Sequence, residues 1–417
     1  MNALATTYAP ARAGTRWRAV GRQAVRVCGP GLIVAVAYVD PGNFATNTQA
    51  GAQLGTRLVW VVVAASVAAM LVQYLSAKLG AVTGRTLPEL CRERYGLGTR
   101  WMLWAQAEVV TMATDLAEVL GGAVALHLLF GLPLPLGGAV VAAAGVALLA
   151  LRPDRRGPFD VAIAALLVGV VACFVGQAVL VGGLGTTAMD AASGMAPSLA
   201  GDGALLLATG IIGATVMPHA VYLHSHLARR EGLGVPVPQR LRRHRRDIGI
   251  ALTIAGLTNV AILVVAARAL AGRPPADDPI LGAFTALGDA APAAGVLFAV
   301  ALLVAALAAS GVGTLAGDVV MQGFWRRRIP LTVRRLVTLA PTLAVLAIGV
   351  DPTWALVLSQ VVLCCGVPFA LVPLVRLTAD RMLMGEGVNR RGTTAAAIAV
   401  TVVVSALDLV LVAQTLL

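Results

Sequence analysis

Stretches of about 20 consecutive apolar residues follow one another along nearly the whole chain, and that is the length a helix needs to cross roughly 30 Å of hydrocarbon. We read eleven such spans: residues 27–53, 57–81, 101–128, 136–151, 159–182, 203–228, 248–271, 293–322, 332–350, 354–376 and 393–416. Of the 417 residues, 58% are hydrophobic and 12% charged, and the mean hydropathy is +0.84, outside the range of water-soluble domains. Strict period-two alternation is absent, which argues against a barrel. The expected fold class is all-α integral membrane with about 11 transmembrane helices. An N-terminal tail over 1–26 precedes a single membrane domain over 27–417. The start, MNALATTYAPARAGTRWR, leads into a span that carries DPGN rather than an A-x-A cleavage site, so no cleavable signal peptide is read.

The net charge of +12 would suggest nucleic acid in a soluble chain, but the basic residues are placed differently. With the N-terminus inside, all of the 32 Lys and Arg except Arg57, Arg268 and Arg273 fall in the tail, in even-numbered loops or at span ends on that side. That is the positive-inside pattern. It predicts a cell-membrane protein with a cytoplasmic N-terminus and an external C-terminus. The runs RLRRHRRD (240–247) and FWRRRIPLTVRR (324–335) are read as orientation signals and lipid headgroup contacts, not as a nucleic-acid surface. No obligate protein partner is indicated. The five cysteines are scattered without metal-ligand or redox spacing and read as small core residues.

Two spans carry helix breakers at mid-membrane. A backbone N–H or C=O left unpaired in hydrocarbon costs several kcal/mol, so a break survives only where protein or a wet cavity satisfies the freed groups. In the first span AYVDPGNFATN stops the helix at Asp40 and Pro41, with Gly42 relaxing the backbone and Asn43 able to cap the second half-helix. In the sixth, TGIIGATVMPHAVYLHS places Pro218 between Met217 and His219. The breaks lie five spans apart. An odd number of spans means that two such halves enter the membrane from opposite sides, the arrangement of secondary carriers with inverted repeats and a midplane site at the discontinuous helices. The repeats expected are 27–182 and 203–376, with an additional helix over 393–416.

The broken turns offer an unusual ligand set: the Asp40 carboxylate, the Asn43 amide, the Met217 thioether, and the carbonyls of Ala37 and Ala214 freed by the two prolines. Oxygen ligands alone would suit Mg²⁺ or Ca²⁺. A soft sulfur shifts the preference to polarisable transition ions. Each residue has a plainer reading: Asp40 and Asn43 as caps of the break, Met217 as core packing. A carboxylate in the middle of a membrane is nonetheless functional by default. His219 reads as a candidate proton site rather than a ligand. A second group of acids lies in the third span, WAQAEVVTMATDLAEVLGGAVAL, where Asp115 and Glu118 are three apart on one helical face. Buried carboxylates of this kind mark proton relays, a bonded structural pair being the alternative. Arg334 and Arg335, at the start of the ninth span, are candidate partners of that relay or headgroup anchors.

These residues carry a resemblance. DPGNFATN, ATDLAE, the GxxGATVMPHxxYLHS pattern at 210–225, and AGDVVMQGF followed by IPLTVRRL resemble the Nramp (natural resistance-associated macrophage protein) family from about Gly29 to the C-terminus. The resemblance implies a proton-coupled importer of Mn²⁺ and Fe²⁺, those ions being cargo and no cofactor being permanently bound. It implies a fold like that of LeuT-type amino-acid carriers, an inverted repeat of five plus five spans plus one, with helices 1 and 6 discontinuous. Asp40, Asn43 and Met217 would hold the metal, with the carbonyls of Ala37 and Ala214. Gln360, in SQVVLCCGVPF, matches a glutamine that joins the metal when the outer gate closes; the residues alone would make it a packed polar group. His219, Asp115, Glu118 and Arg335 fall at positions tied to proton movement and gating.

Three other readings are open. A sodium-coupled amino-acid carrier could use the same scaffold, although an acid already standing at the break disfavours an anionic ligand group there. An intramembrane hydrolase could be built on His219, His224, Ser225 and His226, but neither HExxH nor GxSxG accompanies them. A metal receptor without flux lacks any soluble output domain.

Overall fold

The computed structural model describes residues 29–150, 158–229, 231, 234–273, 278–326 and 331–416. The expected tail over 1–26 lies outside the described residues. So do the side chains of Arg334 and Arg335, whose backbone is part of a helix.

The first span is two helices, α1 (Pro30–Ala37) and α2 (Pro41–Leu54). Pro41 has no N–H to give to the Ala37 carbonyl, so α1 must end. It tightens instead, through Tyr38 N to Ala35 O (3.0 Å) and Val39 N to Val36 O (3.1 Å). Asp40 is extended (φ −88°, ψ 170°) and caps α2 by accepting the Asn43 N–H at 2.9 Å, with Pro41 in the first helical position where its missing donor does no harm. The opposite end of α1 is tied down as well: Gly31 N donates to Asp247 Oδ2 at 2.7 Å.

The chain continues with α3 (Val59–Thr83), the short α4 (Leu87–Arg94), α5 (Leu97–Phe130), α6 (Leu134–Ala150), α7 (Pro158–Leu180) and α8 (Leu184–Ser193). Then comes the second broken span, α9 (Ala204–Thr215) and α10 (Pro218–Ala228), which repeats the logic of the first: Val216 and Met217 leave the helix and Pro218 restarts it. The rest is α11 (Val237–Ala269), α12 (Pro279–Ala290), α13 (Pro292–Trp325), α14 (Leu331–Ile348), α15 (Pro352–Ala379), α16 (Arg381–Met384) and α17 (Arg391–Leu416).

Among the described residues, eight helices are long and apolar enough to cross a membrane, with Ala204–Ala228 taken as one, and two shorter apolar helices cover Leu134–Leu148 and Val337–Ile348. Together with α1 and α2 these account for the eleven spans expected. The sequence reading missed three things. The seventh span begins at Val237, so the basic run at 240–247 lies on the helix itself, with Arg240 and His244 buried. The third span begins at Leu97. Helices α4, α8 and α12 fill stretches read only as loops; α4 is announced by a Thr86/Glu89 capping box.

The broken spans lie at the centre, with α3, α11, α5, α13 and α15 packed about them. Small residues permit the close approaches. A methyl on Gly121 of α5 would strike the Pro41 ring, and one on Gly213 of α9 would strike the backbone of α15 at Gln360 and Cys364. Without a solvent-driven hydrophobic term inside the bilayer, such close packing is what holds helices together.

Candidate functional site

The two breaks meet. Asn43 is the residue that joins them: its Nδ2 donates both to Asp40 Oδ1 (2.8 Å) and to the Ala214 carbonyl (2.9 Å), which Pro218 cannot reach as a donor. Thr215 Oγ1 donates to Asn43 Oδ1 at 3.4 Å. Met217, two residues further, is fully buried at the N-cap of α10, and Ala37 is buried at the end of α1. Gln360 of α15 comes in from a third helix. A methyl on Gly42 would collide with its carboxamide, so the amide lies directly over the start of α2.

The electrostatics of this cluster are one-sided. Asp40 is 1% exposed, and its Oδ1 is committed to the cap while Oδ2 has no hydrogen-bond partner among the described residues. Gln360 donates through Nε2 to Ser359 Oγ (2.8 Å), and its Oε1 is likewise without a partner among them. Orphaned buried oxygens are costly unless something completes them. Two acceptor oxygens from different helices, one on a carboxylate, call for a cation. The structure therefore joins Asp40, Asn43 and Ala214 by hydrogen bonds and sets Gln360 against the neighbouring Gly42 and Gly213, with Ala37 and Met217 at the adjoining helix ends.

His219 stands one residue past Pro218 and is 2% exposed. Its Nδ1 lies 3.2 Å from Thr114 Oγ1. Thr114 Oγ1 also lies 3.0 Å from Val110 O, to which it can donate; with the hydroxyl turned that way the imidazole is the donor through Nδ1–H. Asp115 is the next residue and Glu118 one turn on, both buried. Glu118 presses against α13, where a methyl on Gly313 would overlap its carboxylate. The same α5 touches Pro41 at Gly121. His219 thus contacts span 3 at Thr114, on the helix that also carries Asp115 and Glu118. Arg334 and Arg335 lie outside the described side chains.

On the α1 side of the break lies a network the sequence reading did not find. Gln73 of α3 donates to Tyr38 OH (2.6 Å), His224 Nδ1 lies 2.9 Å from Gln73 Oε1, and Asn259 Nδ2 donates to Tyr38 O (2.8 Å). All four residues are buried. The available signal was Gln73 itself, an uncharged amide within VAAMLVQYLSAKL, since a buried polar group in a span needs a partner. Gln73→Leu is expected to leave Tyr38 and His224 unpaired, at about 1–3 kcal/mol for each orphaned group. Thermal unfolding of the purified variant in detergent would record the loss, and an unchanged midpoint would refute the network.

A family profile described as natural resistance-associated macrophage protein-like (Nramp) matches residues 31–414. The divalent metal cation transporter MntH of Mycobacterium tuberculosis (strain ATCC 25618 / H37Rv) is 50% identical over 395 residues, covering 93% of this chain and 91% of the relative. The crystal structure of the Eremococcus coleocola manganese transporter, in complex with an aromatic bis-isothiourea substituted compound, superposes with a TM-score of 0.80 at 29% identity. It covers 97% of this chain and 88% of that one. Mhp1, a nucleobase-cation-symport-1 family transporter in a closed conformation, has a TM-score of 0.60 at 14% identity over 90% of this chain and 92% of its own, a likeness of fold alone. With the matched profile spanning nearly the whole membrane domain and both broken helices inside it, the chain belongs to the Nramp family.

Proposed function

We propose that the chain is a proton-coupled carrier that imports divalent transition metal ions, Mn²⁺ and also Fe²⁺, across the cytoplasmic membrane by alternating access. The observation that carries this reading is the unpaired, buried Oδ2 of Asp40 at the junction of two broken helices. The ion is cargo. It sheds most of its water onto Asp40, Asn43 and Met217, with the Ala37 and Ala214 carbonyls and Gln360 completing the shell in different conformations. Protons pass separately by His219, Glu118 and Asp115, with Arg334 and Arg335 as partners on the cytoplasmic side. The N-terminus is cytoplasmic and the C-terminus external, a reading supported by the placement of the basic residues. The inverted repeats occupy about 27–182 and 203–376, and the helix over 393–416 is an addition to them. An inside-negative potential favours entry by roughly 2.3 kcal/mol per charge per 100 mV, hence about twice that for a dication.

The test is uptake by the purified protein in liposomes under an inside-negative potential, with internal pH recorded. Manganese influx with internal acidification is expected. Amino-acid uptake without manganese transport would turn the reading to the sodium-coupled carrier. Met217→Ala should retain Mn²⁺ transport but weaken discrimination against Ca²⁺ and Mg²⁺, because the remaining oxygen set suits hard ions. Unchanged competition by Ca²⁺ would argue against the sulfur's role.

A further inference from the structure

Span 11 carries an acid that the transport reading does not use. Helix α17 shows one buried stripe, Ala397, Val404, Asp408 and Leu411, while Leu409 and Val410 beside Asp408 face outward. The stripe packs on α15, with α9 and α3 completing the surroundings. Asp408 is 8% exposed, and apart from the Cys364 thiol of α15 its carboxylate oxygens have no hydrogen-bond partner among the described residues. The nearest hydroxyl on its own helix, Ser405, gives its proton to Thr401 O at 2.8 Å. What the carboxyl faces is the Cys364 thiol of α15, with Cys365 beside it, and a thiol is a weak donor.

Among the described residues no cation is placed to neutralise it. Helix α9 contains no ionisable residue. On α3, Lys78 is bonded to Asn389, before α17 begins, and Tyr74 lies a turn from Lys78; at 1.5 Å per residue Asn389 is about 28 Å along the chain from Asp408. By the same rise Arg391 is about 25 Å from Asp408, and Arg376 of α15 about 18 Å beyond Cys364. An ionised carboxylate in an apolar surrounding without a partner is far more costly than the neutral acid, and such groups take up a proton instead.

We propose that Asp408 is a proton-binding site, held as the neutral acid between spans 10 and 11 outside the Asp115–Glu118 line. Its proton has a mechanical consequence. Cys364 is one turn from Gln360 and lies against Gly213 of α9, where an added methyl would meet the Cys364 nitrogen at 2.8 Å. Ionising Asp408 puts a charge behind the contact between spans 10 and 6, so loss of its proton should loosen that contact.

Infrared spectroscopy of the full-length protein without metal tests the site. The carbonyl band of a protonated carboxylic acid should be present at neutral pH, be lost in Asp408→Asn and shift in Cys364→Ala, which keeps the acid should the first variant fail to fold. Spectra in which neither substitution changes that band would overturn the proton site. The mechanical consequence rests on the metal-transport reading, and the pH profile of Mn²⁺ uptake tests it. The amide stands for the permanently protonated acid, so the fall of uptake at alkaline pH should move to higher pH in Asp408→Asn. An unchanged profile would overturn the coupling. Because the infrared measurement uses no metal, failure of the transport reading leaves its outcome intact.

Discussion

Asp40→Asn is expected to abolish manganese binding and uptake while leaving the fold in place. The two oxygens of Asp40 have separate tasks. Oδ1 caps α2 through the Asn43 N–H, and asparagine caps helices as well as aspartate does. Oδ2, without a partner among the described residues, is the group that the proposed function assigns to the ion, and the variant replaces it by an amide that presents N–H hydrogens to a cation. Removing one partner of a buried charge pair costs about 2–5 kcal/mol, which corresponds to roughly 30-fold to several thousand-fold in affinity. Calorimetric titration with Mn²⁺, alongside thermal unfolding, separates the two effects. Wild-type manganese affinity in Asp40→Asn would remove the site from these residues. A collapse of stability equal to the loss of binding would show that the carboxylate serves the fold rather than the ion.

Gly213→Ala should be nearly as damaging by a different route. The new methyl would fall on the Gln360 carbonyl oxygen and against the Cys364 nitrogen, both backbone atoms with no rotamer to change. Overpacking of this kind costs about 1–3 kcal/mol. Here the displaced parts belong to the proposed metal site: α9 carries Ala214, whose carbonyl holds Asn43, and α15 carries Gln360. Uptake should be largely lost, with a lowered unfolding temperature. Gly210→Ala is the control, on the same helix three residues earlier, where the tightest contact of the methyl is Thr46 Cγ2 at 3.1 Å, with Val357 Cγ1 of α15 in ordinary contact at 3.9 Å, both side-chain atoms. Its effect should be small. Equal losses in both variants would mean that helix propensity or general crowding, not the contact with span 10, governs the outcome.

The sequence disclosed the breaks because proline and a mid-membrane carboxylate violate local rules, and such violations stand out against apolar runs. Asp40, Asn43 and the Ala214 carbonyl could thus be placed together on the chemistry of interrupted helices alone. Gln360 could not. It sits on an unbroken helix, and nothing in SQVVLCCGVPF indicates that its amide would reach Gly42; only the family resemblance pointed to it. Tyr38, Gln73 and Asn259 were missed for the same reason, since their meeting depends on which helix faces which. Asp408 was visible as an acid in a span but lacked a neighbouring motif. Helices α4, α8 and α12 were invisible to a reading built on hydrophobic length, being too short or too polar to register.

On the proposed function, the separation of duties within one side chain at Asp40 also bears on the unloaded half of the cycle. When the ion departs, the oxygen that begins α2 stays occupied by its amide hydrogens, so the hinge does not have to be rebuilt. Starting a helix anew is the slow, unfavourable part of forming one. A vacant carrier with its pivot still assembled can swing back as a rigid lever, and the pace of resetting then depends on the gates rather than on refolding at the fulcrum.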